Sequence, residues 1–140
     1  MENRGDIFDP LRKKRVALTP EEQVRQFFIG WLNKERGFPL SLMASEYSIC
    51  YNKQRFRCDI VCFNKSLEPQ MIIECKAPDV KLTNAVLEQI ARYNLVLRVK
   101  YLVITNGHET YVCRYNCAES GYSFIGEIPF YSHLDTIDNR

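Results

Sequence analysis

Residues 57–76 constrain this chain most. Two apolar runs, Arg57-Cys58-Asp59-Ile60-Val61-Cys62-Phe63 and Met71-Ile72-Ile73-Glu74-Cys75-Lys76, flank a short polar segment. Runs of this length, rich in Ile, Val and Phe, read as strands, and Asn64, Lys65, Ser66, Glu68 and Pro69 form the turn between them. Alternate residues of a strand point the same way, so Glu74 and Lys76 share one face and Cys75 points to the other. Asp59, Glu74 and Lys76 therefore bring three ionisable side chains to the ends of apolar strands. Desolvating charge there is costly, and a core has no use for it. The plain alternative is a structural ion pair, or charges that reach solvent at strand ends.

Around this hairpin the chain reads as helix, three strands, helix, two strands. Thr19-Pro20-Glu21-Glu22 is a helix start, with Thr19 as N-cap, Pro20 in the first turn and Glu22 closing a capping box. Val24, Phe27, Phe28, Trp31 and Leu32 follow at helical spacing, and Gly37 with Pro39 ends the helix. Ser45 to Tyr51 reads as a strand, with a turn at Asn52-Lys53-Gln54. Ala77-Pro78-Asp79 stops the second strand of the hairpin. Apolar residues return at helical period from about Leu82 to Val99. Lys100 to Thr105 is then a buried strand, Asn106-Gly107 a type I′ turn, and Thr110 to Arg114 the returning strand. Phe124-Ile125 and Ile128-Pro129-Phe130 supply an edge strand and a docking tail. A meander of three strands, a crossing helix and a further strand predicts an α/β (α+β) fold, a mixed sheet flanked by helices.

The chain has 140 residues, 46% of them hydrophobic and 26% charged, which fits one domain, 19–140, preceded by a basic arm, 1–18. No apolar run approaches the roughly 18 residues that would span a membrane. The charged first thirty residues lack a signal-peptide core, so the expectation is cytoplasmic. A formal charge of +2 is too small to argue nucleic-acid binding by itself. The local cluster Arg12-Lys13-Lys14-Arg15 is either a solvated arm or a phosphate-contacting one. Six cysteines include Cys58/Cys62 and Cys113/Cys117 at C-x3-C spacing. These pairs lie in or at the ends of strands rather than on tight turns, so buried reduced thiols are expected in preference to zinc.

The pattern Asp59-(x14)-Glu74-x-Lys76 and the order of elements resemble the catalytic core of the PD-(D/E)XK nucleases, which have a restriction-endonuclease-like fold. Gln89 and Tyr93, four apart on one helical face, resemble the Q-x3-Y of RecB-like members. The match extends to Leu18-Thr19-Pro20-Glu21-Glu22 with Val24-Arg25-Gln26, to Ile73 through Pro78, and to Tyr101 through Gly107. Over roughly residues 8 to 115 the chain resembles the N-terminal domain of type I restriction enzyme R subunits (HsdR). Cys58 stands where the motif usually has proline.

This resemblance implies a Mg2+-dependent endonuclease (Mn2+ substituting) that hydrolyses DNA phosphodiesters, with Asp59, Glu74 and the Cys75 carbonyl holding the metal. Lys76 and Gln89 would complete the catalytic set, and Tyr93 would support Gln89 or contact DNA. Many relatives add an acid from the first helix. Glu22 is the candidate here, although the capping box accounts for it equally well, with Glu21 as a partner for the helix dipole and Glu46 as a second choice. The chain leaves no room for the DNA motor of an R subunit, so a stand-alone domain is expected, with a separate motor or specificity subunit as a partner. The alternative is a catalytically silent DNA- or protein-binding module serving a separate helicase or translocase.

Overall fold

The computed structural model describes residues 5–95, 99–116, 118 and 121–134, and all of their side chains but those at 51, 89, 90 and 92–95. A small hairpin, β1 (Asp6–Asp9) and β2 (Lys14–Ala17), precedes helix α1 (Pro20–Arg36). Then come β3 (Met43–Tyr51), β4 (Gln54–Phe63), β5 (Pro69–Cys75), helix α2 (Asn84–Leu95), β6 (Tyr101–Thr105), β7 (Thr110–Asn116) and β8 (Gly121–Ile125). The last six strands form one sheet in chain order. Neighbours are antiparallel except β5 and β6, which run parallel because α2 carries the chain back between them. This is the mixed α/β fold that the sequence predicts.

α1 starts where its capping residues place it. The Thr19 hydroxyl accepts the Glu22 N–H at 3.1 Å, which satisfies one of the orphan donors of the first turn. It ends at Gly37, whose φ of 75° would strain a side-chain-bearing residue. Val24, Phe28, Ile29 and Leu32 of α1 pack on Ile60, Cys62, Met71, Ile73, Tyr101 and Val103, forming the main core. Strand alternation sends Val61, Ile72, Leu102 and Cys113 to the opposite face, under Ala91 of α2. Leu82, Leu87 and Ile104 extend that second layer. The buried Cys58, Cys62, Cys75 and Cys113 are free thiols, and burial raises the pKa of each. Cys117 lies outside the described residues.

Two local expectations change. The basic arm is an ordered hairpin from residue 6 onward, although Lys13, Lys14 and Arg15 stay solvated. Asp9 is fully buried and organises it, accepting from the Leu11 N–H at 2.9 Å, the Ser45 hydroxyl at 2.9 Å and the Arg12 guanidinium. The turn after β6 is displaced by one residue. Asn106 and Glu109 pair (N–H to carbonyl, 3.2 Å), so Gly107 and His108 form the tip. Gly107 leads that tip with φ 91° and His108 has no positive φ, which excludes type I′. The Asn106 side chain decides this by accepting the N–H groups of His108 and Glu109 at 2.9 and 2.8 Å.

Among the described residues, no helix is long and apolar enough to cross a membrane.

Candidate active site

The β4–β5 hairpin pairs Cys62 with Met71, Val61 with Ile72 and Ile60 with Ile73. One more step in that register sets Asp59 directly opposite Glu74. The register depends on an irregularity at the loop end, where Phe63 pairs with Pro69 and the ladder shifts. Without that shift Asp59 would face Ile73. Like charges directly across a strand pair are destabilising, and the structure answers with side-chain bonds. Asp59 Oδ2 accepts the backbone N–H of Cys75 at 2.7 Å, and the Asp59 and Glu74 carboxyls are hydrogen-bonded to each other.

Burial pushes the Glu74 carboxyl up to about 8, with the neighbouring Asp59 charge and their mutual hydrogen bond adding to it and Lys76 opposing. At neutral pH the Glu74 carboxyl thus keeps its proton, as burial next to a second carboxyl favours the neutral form. Lys76 follows directly, its backbone N–H bonded to the Thr105 carbonyl at 2.8 Å, which ties the residue after β5 to the last residue of β6. Its ammonium is close enough to lower the pKa of both Glu74 and Glu21.

Glu22 does not line this cluster. Its carboxylate takes Arg25 Nη2 at 2.8 Å, Gln26 Nε2 at 2.8 Å and Arg12 Nη2 at 2.9 Å. Burial would raise the Glu22 pKa, but these donors outweigh it and hold it low. Its lone pairs are spent on the protein, which leaves none for a cation and none for the reciprocal half of a capping box. Glu46 is likewise engaged, by Arg57 Nε at 2.8 Å and Arg25 Nη2 at 2.9 Å. The α1 acid near the site is Glu21. It is exposed, and its carboxyl is raised first by desolvation and next by the charge of Asp59, against the lowering effects of Arg25 and Lys76. Gln89 and Tyr93 fall on α2, but their side chains lie outside those described.

Of the basic arm, Arg12 turns inward to Asp9 and Glu22, and Arg15 bonds Asp6 at 2.7 Å. Lys13 and Lys14 remain exposed. Sequence reasoning missed Arg25, which is 4% exposed and sits beside Asp59. The available signal was a Glu-Arg pair three apart on the buried stripe of an amphipathic helix, where charge needs a reason.

Among the described residues, no three His, Cys, Asp or Glu side chains form a cation cage. Two adjoining carboxylates beside the backbone carbonyl at a strand end nonetheless suit Mg2+, which takes one or two carboxylates and keeps several waters. The proton retained by Glu74 marks where a cation would neutralise the pair.

The comparisons with known proteins agree with this architecture. A putative HsdR subunit fragment of a type I restriction enzyme from Vibrio vulnificus YJ016 superposes with a TM-score of 0.56 at 18% identity, over 85% of this chain and 25% of that one. The present chain thus spans about a quarter of that relative. No curated protein matches. The model of the type I restriction enzyme R protein N terminus matches residues 20–129, and the chain belongs to that family.

Proposed function

We propose that this domain is a metal-dependent DNA endonuclease that hydrolyses phosphodiester bonds. The observation that carries the reading is the register placing Asp59 opposite Glu74 with Lys76 at the strand end. Asp59 and Glu74, with the Cys75 carbonyl, would hold Mg2+, or Mn2+ in its place. Bound there, the ion supplies charge neutralisation at the phosphoryl oxygens and a more acidic water. The Cys75 N–H fixes one Asp59 oxygen, leaving the other for a ligand. Glu74 would give up its proton to solvent if a cation bound there. Lys76, whose charge acts on Glu74, would orient the attacking water and stabilise charge developing on phosphorus. Gln89, one helix along, is assigned to the same site by family resemblance.

Membership of the type I restriction enzyme R protein N terminus family supports a second reading, that a motor or specificity subunit brings DNA to it. The test is cleavage of plasmid and single-stranded DNA by the purified protein beside its Lys76→Ala variant. Cleavage that needs Mg2+ or Mn2+ and disappears with Lys76 supports the enzyme. A folded wild type no more active than the variant rules out a nuclease active by itself.

A further inference from the structure

Three acids stand in a row across neighbouring strands. The β3–β4 register pairs Ser45 with Ile60 and Tyr47 with Cys58, which puts Glu46 opposite Asp59, and Asp59 in turn faces Glu74. Neither ladder includes a pair at Asp59. The Cys75 N–H holds one Asp59 carboxylate oxygen at 2.7 Å, and Arg25 approaches the other from α1. Its Nη1 donates to the Asp59 carbonyl at 3.2 Å and lies 3.6 Å from Asp59 Oδ1. Nη2 donates to Glu46 Oε2 at 2.9 Å. Nε and Nη2 grip the two Glu22 oxygens at 3.2 and 2.8 Å. A planar fork with five fixed donors spans three acids in one fixed geometry, which a compact ammonium with three rotatable donors does not reproduce. Glu46 pays for its place with a φ of 54°, a strained conformation that persists only when its surroundings hold it.

We infer that Arg25 is a positioning residue of the cation site: clamped by Glu22, it draws Glu46 out of the acid row and sets the Asp59 carboxylate against Glu74. This rests on the nuclease reading above. Arg25 reaches no substrate; it acts through Asp59. Positive charge beside a cation site by itself opposes cation binding, so a benefit from Arg25 has to come from geometry, and Arg25→Lys isolates geometry because it conserves the charge.

The experiment is calorimetric titration of Mn2+ into wild type, Arg25→Lys and Glu22→Gln, each well below its own thermal midpoint. Groups that orient metal ligands are worth about tenfold or more in metal affinity, so folded Arg25→Lys should bind Mn2+ at least about tenfold more weakly. Glu22→Gln loosens the clamp and should fall in the same direction by less. A folded Arg25→Lys with a lowered midpoint but wild-type Mn2+ affinity overturns the inference and leaves Arg25 a structural strut. Should Arg25→Lys not fold, unchanged affinity in Glu22→Gln overturns it equally. A folded wild type that binds no Mn2+ defeats the nuclease reading itself, an outcome distinct from either.

Discussion

Glu74 carries a carboxyl whose proton is released near pH 4.5 in a solvated chain and at about 8 in the folded one. Between those values the folded protein holds a proton that the unfolded chain has lost, so stability of the cation-free protein falls as pH rises through the window and levels off above it. Urea midpoints measured in chelator on either side of the window should show this decline in wild type and not in Glu74→Gln, which cannot ionise. Mg2+ should restore the loss at the alkaline end. Asp9, Glu22 and Glu46 act in the opposite sense. Burial raises each, but bonded arginines and other donors outweigh it and lower their pKa, so their contribution is present at neutral pH and is lost on acidification. The facing of Asp59 and Glu74 was nearly legible, since both sit in a recognisable hairpin. The shift at Phe63 was not, because nothing in Pro69-Gln70 announces where a ladder slips by one residue.

Element boundaries followed local chemistry closely wherever capping decided them. Thr19 and Gly37 bracket α1 as read from sequence, and Thr19→Ala should cost about 1 kcal/mol of unfolding free energy, read from urea denaturation with the fold unchanged by circular dichroism. The reciprocal half of the box failed for a tertiary reason: Glu22 finds two arginines and a glutamine, and charge-assisted bonds are stronger than a bond to a backbone amide. The turn at Gly107 failed for a local one. The Asn106 side chain can accept two backbone N–H groups when it stands before the tip, and Asn-Gly as a dipeptide does not reveal which position it takes.

Across the whole molecule, the N-terminal hairpin is joined to the domain through Asp9, Arg12 and Glu22, the last two meeting at 2.9 Å. Removing one partner of a buried pair strands the other charge, so Arg12→Ala should lower stability by about 3 kcal/mol, whereas the double change Lys13→Ala/Lys14→Ala should move it by less than about 0.5 kcal/mol. Equilibrium unfolding of both variants checks the pair of values. The same lysine variant tests DNA binding. For every phosphate that a lysine neutralises, its removal should reduce the salt slope of DNA binding by about one, and an unchanged slope by fluorescence anisotropy would remove Lys13 and Lys14 from the interface.

Local information was sufficient for the six-stranded mixed sheet, both helices and the acid-lysine strand, though not for the β1–β2 hairpin, because periodicity, caps and turn residues act over a few positions. It could not assign the charges. Arg12, Arg25, Glu22 and Glu46 are distant in sequence from Asp59, and their roles depend on which carboxylate each guanidinium reaches once α1 packs on the sheet. Coulomb energies and hydrogen bonds act over a few ångströms of space whatever the separation along the chain. Only the folded arrangement could therefore withdraw Glu22 and Glu46 from the site, set Glu21 near it and place Arg25 against Asp59.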